Sequence, residues 1–110
     1  MARPLKGDVV VVPFPFSDLS KAKRRPALVI AALPGDDVIL CQITSQSFGD
    51  SSAIPLGEHE LQKGKLQQAS RIRPNRIFTA DHRIILYAIG SLKPEKTQQV
   101  IETIIGILRA

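Results

Sequence analysis

Apolar residues come in short unbroken runs separated by polar stretches, and only from Pro94 onward does their spacing become helical. Val9-Val10-Val11-Val12, following Gly7-Asp8, is β-branched throughout and predicts a first strand. Pro13-Phe14-Pro15-Phe16 is expected to end it, because proline cannot donate to a central ladder. Ser17 to Arg24 is polar and basic without an apolar period, and reads as a loop that delivers Arg25 and Pro26 to a core strand. That strand is the continuous run Ala27 to Ala32. Turn residues at Pro34-Gly35-Asp36-Asp37 and a renewed run from Val38 to Thr44 make residues 27–44 a hairpin. Ser45 to Ser52 then leaves the sheet, Ala53-Ile54-Pro55-Leu56 makes at most a short edge strand, and Gly57 to Lys65 reads as a polar loop.

Leu66 to Thr79 mixes isolated apolar residues with basic ones, the pattern of a half-exposed strand or strand pair broken at Pro74. Ile84 to Ile89 is strand-like, with room for a helical turn between Asp81 and Ile85, and Gly90 is expected to close it. Val100, Ile101, Ile104, Ile105 and Leu108 then fall on one helical stripe, with Glu95, Gln98, Gln99 and Glu102 opposite and Pro94 suited to the first turn. Gly106 weakens such a helix by about 1 kcal/mol relative to alanine, so it should depend on packing against the sheet. Five or more short strands, tight turns and one terminal helix predict a mostly β fold with α. The expected architecture is a small, mostly antiparallel barrel with a C-terminal helix. Nothing indicates a βαβ unit or an internal repeat.

The length of 110 residues fits one domain, 1–110, and 44% hydrophobic with 23% charged residues is a globular composition. No apolar run approaches the roughly 20 residues of a spanning helix, and no apolar leader follows the basic start, so a cytoplasmic protein is expected. Cys41 is the single cysteine, which excludes an intramolecular disulfide and multi-cysteine zinc patterns.

Charge changes the picture more. The formal net charge is +5, and ten of the fifteen basic residues lie in two windows: Lys21, Lys23, Arg24 and Arg25, then Lys63, Lys65, Arg71, Arg73, Arg76 and Arg83. Brought together, these windows form a surface able to follow a phosphate backbone; left apart, they are a solvated face that keeps the chain soluble. His59 and His82 are isolated, so no metal is expected. The absence of Gly-x-Gly-x-x-Gly, a P-loop and Gly-x-Ser-x-Gly removes support for a nucleotide cofactor or α/β-hydrolase chemistry. The remaining hydroxyl, guanidinium and carboxylate groups point to phosphate chemistry without a cofactor.

Three segments taken in order carry a resemblance: Lys6-Gly7-Asp8-Val9-Val10-Val11-Val12-Pro13-Phe14-Pro15-Phe16, then Lys23-Arg24-Arg25-Pro26-Ala27-Leu28-Val29-Ile30, then Ile43-Thr44-Ser45. With Ser70 to Asp81 and the Gly90-x-Leu92-x-Pro94-Glu95 approach to the last helix, the sequence resembles the MazF/PemK toxin family along nearly its whole length. The resemblance implies an SH3-like barrel that dimerises and an endoribonuclease acting on single-stranded RNA. It also implies a small cognate antitoxin, expected to be acidic.

The same resemblance assigns the residues. Arg25, directly before Pro26, matches the family's catalytic arginine, and a guanidinium can grip a phosphate through two parallel hydrogen bonds. A structural arginine paired with Asp8 or Asp18 is the competing account. Thr44 matches the catalytic threonine, against an ordinary strand-end threonine, and Ser45 is a candidate assistant. Some members carry an arginine directly before the Thr-x-Asp, where this chain has Phe78 before Thr79-Ala80-Asp81. Arg76, two positions earlier and on the same face of a regular strand, is the candidate replacement. Asp81 is either a base or the anchor of a turn. Lys21, Lys23, Arg24 and Arg73 are candidate RNA contacts, and Phe14 and Phe16 either stack bases or belong to the core. The alternative function is a non-enzymatic nucleic-acid-binding module or a gyrase-targeting toxin on the same barrel. Gyrase targeting is disfavoured because related CcdB-like proteins end in a tryptophan-containing tail and this chain has no tryptophan.

Overall fold

The computed structural model describes residues 3–14, 23–46 and 49–110. Seven strands form one antiparallel sheet: β1 (Asp8–Phe14), β2 (Lys23–Ala32), β3 (Asp37–Thr44), β4 (Ile54–Leu56), β5 (Leu61–Gly64), β6 (Ser70–Asp81) and β7 (Tyr87–Leu92). Their spatial order is β4-β6-β3-β2-β1-β7-β5, and the sheet curls into a half-barrel. The helix α1 (Pro94–Arg109) follows, opened by Pro94 in its first turn, where a missing N–H costs nothing. Among the described residues no helix is long and apolar enough to cross a membrane.

The central strands are apolar on both faces because both are covered. On the inner face Val9, Leu28, Cys41, Ile43 and Ile72 pack with Leu56, Leu92 and the helix residues Val100 and Ile104. On the other face Val10, Val12, Ala27, Val29, Val38, Leu40 and Ile85 form a second cluster, with Phe14 and Phe78 against it. This explains why Val9 to Val12 and Ala27 to Val29 show no alternation. The helical stripe is only partly covered: Val100 and Ile104 are buried, whereas Leu108 is 73% exposed.

Pro13 does not end β1, which runs to Phe14; Pro15 and Phe16 lie outside the described residues. Pro13 pairs with Arg24 and Phe14 with Lys23. The Leu86 N–H donates to the Val11 carbonyl, so odd-numbered positions of β1 face β7. Because β7 pairs only with residues 8–11, the proline nitrogen points to a side with no ladder to feed. The expected basic loop likewise ends earlier, since Lys23, Arg24 and Arg25 are already part of β2. Gly57 to Lys65 is not a simple loop: a 3₁₀ turn (Glu58–Glu60) leads into β5. β6 runs through Pro74 as one strand by bulging between Ile72 and Ile77. Nor does Gly90 close β7. It lies inside the strand, where a Cβ would overlap the Lys63 carbonyl of β5, so only glycine allows the two backbones so close.

The 3₁₀ turn is tied to the helix. Glu60 accepts from Lys96 Nζ at 2.7 Å and from the Gly57 N–H at 2.9 Å, in a largely covered setting. Burial pushes the Glu60 carboxyl up, but these donors outweigh it and hold it below the usual range.

Candidate active site

Pro26 decides where the site opens. The Gly7 N–H donates to the Val29 carbonyl on the β1 side, so even-numbered positions at this end of β2 face β3. Pro26 therefore has no N–H to give to the neighbouring strand, and the β2–β3 ladder ends at Ala27 opposite Gln42. Extending that register by two residues stands Arg25 across from Thr44. Beyond the last rung lies a cleft of about 490 Å³, and its lining includes Arg24, Arg25, Thr44, Ser45, Lys65 and Tyr87.

Arg25 is half-buried, and its Nε is fully covered without a hydrogen-bond partner among the described residues. The pairing with Asp8 that would make it merely structural is absent, because Asp8 instead accepts from the Leu5 N–H at 2.8 Å. Asp18 lies outside the described residues. A buried guanidinium N–H without a partner costs about 1–3 kcal/mol or more, and because Nε is closed to solvent an anion would recover this only as the side chain turns toward the cleft. Thr44 is 3% exposed, and its Oγ1 accepts from the Gln46 N–H at 3.1 Å. That contact orients the hydroxyl and leaves its proton to donate. Ser45 follows at the exposed rim.

The other candidates divide. Arg24 lines the cleft, Lys23 is exposed on the same strand, and Lys21 and Phe16 lie outside the described residues. Arg73, a candidate RNA contact, is buried, with Nε 3.2 Å from Asp50 Oδ2, because the β6 bulge turns it inward. Its carbonyl accepts from the Cys41 thiol, which burial pushes up to about 12. Arg76 is exposed at the end of the bulge, whereas Phe78 packs on the core, and Arg76 is not part of the cleft lining. Phe14 is also core, its ring 4.7 Å from Phe78 in an edge-to-face contact.

Asp81 is not brought to Arg25 and Thr44. It pairs with Asp37, whereas Thr44 pairs with Arg71, so seven residues of β3, about 23 Å, separate the two positions. Asp81 caps the 3₁₀ turn His82–Ile84 by accepting from the Arg83 N–H at 2.8 Å, and binds the Arg83 guanidinium at 2.9 and 2.6 Å. The side-chain bonds from Arg83, followed by its backbone N–H, hold this carboxyl well below the usual range. Of its two expected roles, anchoring a turn is the one its contacts serve.

The sequence reading named Lys65 only as part of a basic window and did not place Gln67, Gln68 and Tyr87 at the site. They reach it because β7 and the segment before β6 converge on the end of β2, a long-range meeting that no local pattern encodes. A second cleft, about 570 Å³, lies between β7 and the start of α1 beside Lys6 and Asp8, and contains none of the predicted site residues.

A curled antiparallel half-barrel with a terminal helix and a cation-lined cleft at its strand ends defines a small class of barrel proteins. The chain belongs to the family of PemK-like, MazF-like toxins of type II toxin-antitoxin systems, whose sequence profile matches residues 5–108. No curated protein matches in sequence. Among solved structures, MazF from Deinococcus radiodurans superimposes with a TM-score of 0.77 at 19% identity, covering 100% of both chains. An endoribonuclease from a mycobacterial species gives 0.73 at 16% identity, covering 98% of this chain and 93% of that one. A mycobacterial endoribonuclease in complex with its cognate antitoxin gives 0.68 at 16% identity, covering 97% and 93%. At these identities the likenesses speak to the fold.

Proposed function

We propose that the chain is a toxin endoribonuclease that cuts single-stranded RNA in the cleft at the end of β2 and β3. The observation that carries this reading is the covered, unpartnered Nε of Arg25 across from the Thr44 hydroxyl. Arg25 holds the scissile phosphate and neutralises charge as the phosphorane forms, and Thr44 donates a hydrogen bond to a phosphate oxygen. The ribose 2′-oxygen loses its proton and bonds to phosphorus, the bond to the 5′-oxygen breaks, and that oxygen gains a proton. The products are a 2′,3′-cyclic phosphate and a 5′-hydroxyl, with no water consumed. The described cleft lining is cationic and hydroxylic, without carboxylate or imidazole, so the chemistry leans on charge stabilisation and is read as metal-independent.

Arg24, Lys65 and Lys23 serve flanking phosphates. The cytoplasm is the proposed compartment, and an acidic antitoxin segment that folds over the basic cleft and covers Arg25 is the proposed inhibitor. Exposed Leu5, Leu86 and Leu108 supply apolar surface for a homodimer. In the test, purified chain in EDTA is incubated with oligoribonucleotides, and the same preparation should sediment at twice the chain mass. Cleavage should persist, stop with one 2′-deoxy substitution at the scissile nucleotide, and leave cyclic-phosphate ends. A magnesium requirement with 5′-phosphate products would overturn the mechanism.

A further inference from the structure

We propose that Tyr87 is the platform on which one base next to the scissile phosphate stacks. This rests on the reading in which Arg25 holds that phosphate. Tyr87 opens β7 opposite Val11, is 49% exposed, and lines the same cleft as Arg25 and Thr44. Tyr87 and Ala88 at the start of β7 are exposed and only Leu92 at its end is buried, so the half-exposed ring is not needed for the core. No hydrogen bond ties its hydroxyl among the described residues.

The other described rings are engaged elsewhere: Phe14 and Phe78 meet edge to face beside the outer cluster. Tyr87 is therefore the described aromatic side chain that presents its ring to the cleft. Stacking suits this position because every base has a π-face, so a ring fixes the strand without dictating its sequence. Gln67 and Gln68 line the same cleft, and their neutral amides both donate and accept, as contact with base edges requires. Phosphate at Arg25, base on Tyr87 and base edge at the glutamines give three anchors for one nucleotide. A cleft of about 490 Å³ falls within the usual size of small-ligand sites.

The test uses the oligoribonucleotide that the chain cuts, made uncleavable by one 2′-deoxy substitution, with an abasic site scanned along it. Against the parent chain, one abasic position beside the scissile phosphate should weaken binding roughly tenfold or more. Against Tyr87→Ala that position should cost nothing further, while Tyr87→Phe should behave as the parent. If every abasic position costs Tyr87→Ala as much as it costs the parent, the platform is overturned even though Arg25-dependent cleavage stands. A parent chain that neither binds nor cuts RNA would overturn the functional reading and the platform with it. A Tyr87→Ala chain that sediments as a monomer yet keeps the parent's abasic response would assign the ring to a subunit contact instead.

Discussion

The two ends of β3 use similar residues to opposite effect. At the Asp37 end the charges close on one another: Arg83 is bound to Asp81 at 2.6 Å and reaches Asp36 at 3.9 Å, and His82 Nε2 sits 3.7 Å from Asp36 Oδ1. The Arg3 guanidinium is also engaged there, by the Gly35 carbonyl. At the Thr44 end Arg25 has a covered Nε that no described group accepts from. A cation whose hydrogen bonds are already made has little left for a ligand, whereas one with an unmet donor gains by turning toward an anion. Arg73 sharpens the contrast: it lies near the open end, yet its ion pair with Asp50 makes it resemble the closed one.

The comparison breaks most sharply at Arg25. Arg25→Ala should lower kcat/KM for RNA cleavage by about 10²–10³-fold with an unchanged circular dichroism spectrum. Thr44→Ala should lower it by about 10- to 150-fold, since a hydrogen bond to the charged phosphate is worth about 1.5–3 kcal/mol. A larger loss at Thr44 than at Arg25 would reverse the two roles. The next effect is on stability. Asp50→Ala leaves Arg73 buried without its carboxylate and should cost about 2–3 kcal/mol in urea unfolding, with cleavage per folded molecule maintained. If stability holds while the salt dependence of RNA binding weakens, Arg73 is an RNA contact after all.

The smallest effect is expected at the closed end. Asp81→Asn should leave cleavage within about twofold of the parent and change stability little, because this pair is open to water. Its pH dependence has a definite sign. The folded Asp81 carboxyl is held below its ordinary value, so its contribution is present above the unfolded value of about 3.9 and is lost as pH falls through the folded one. Whatever small difference in urea midpoint the parent and Asp81→Asn show at pH 7 should therefore vanish in strong acid. Loss of cleavage in Asp81→Asn would return the base role to this residue.

The hairpin of β2 and β3, the short edge strand β4 and the start of α1 were legible because local signals agree there: turn residues, proline position and a change of period. Strand extents were not. The effect of Pro13 depends on which side of β1 its nitrogen faces, and that is fixed by where β7 stops pairing. Gly90 reads as a terminator until β5 is known to lie against it. At the site, Arg25 and Thr44 came from the family resemblance, and the fold then sets them across one cleft. Tyr87 carries no local mark and Lys65 only its charge, since their place follows from the convergence of distant segments. Arg73 lies inward because a bulge in β6 breaks the alternation that would have kept it outside.

Cys41 leaves the molecule with a consequence for labelling chemistry. Its thiol is buried and donates to the Arg73 carbonyl, and burial pushes it up to about 12, so it stays protonated at neutral pH. Maleimides, alkylating agents and peroxides all need that thiolate and a path to it. The native chain thus behaves as cysteine-free towards such reagents, and a cysteine engineered at the cleft rim would accept a fluorophore selectively.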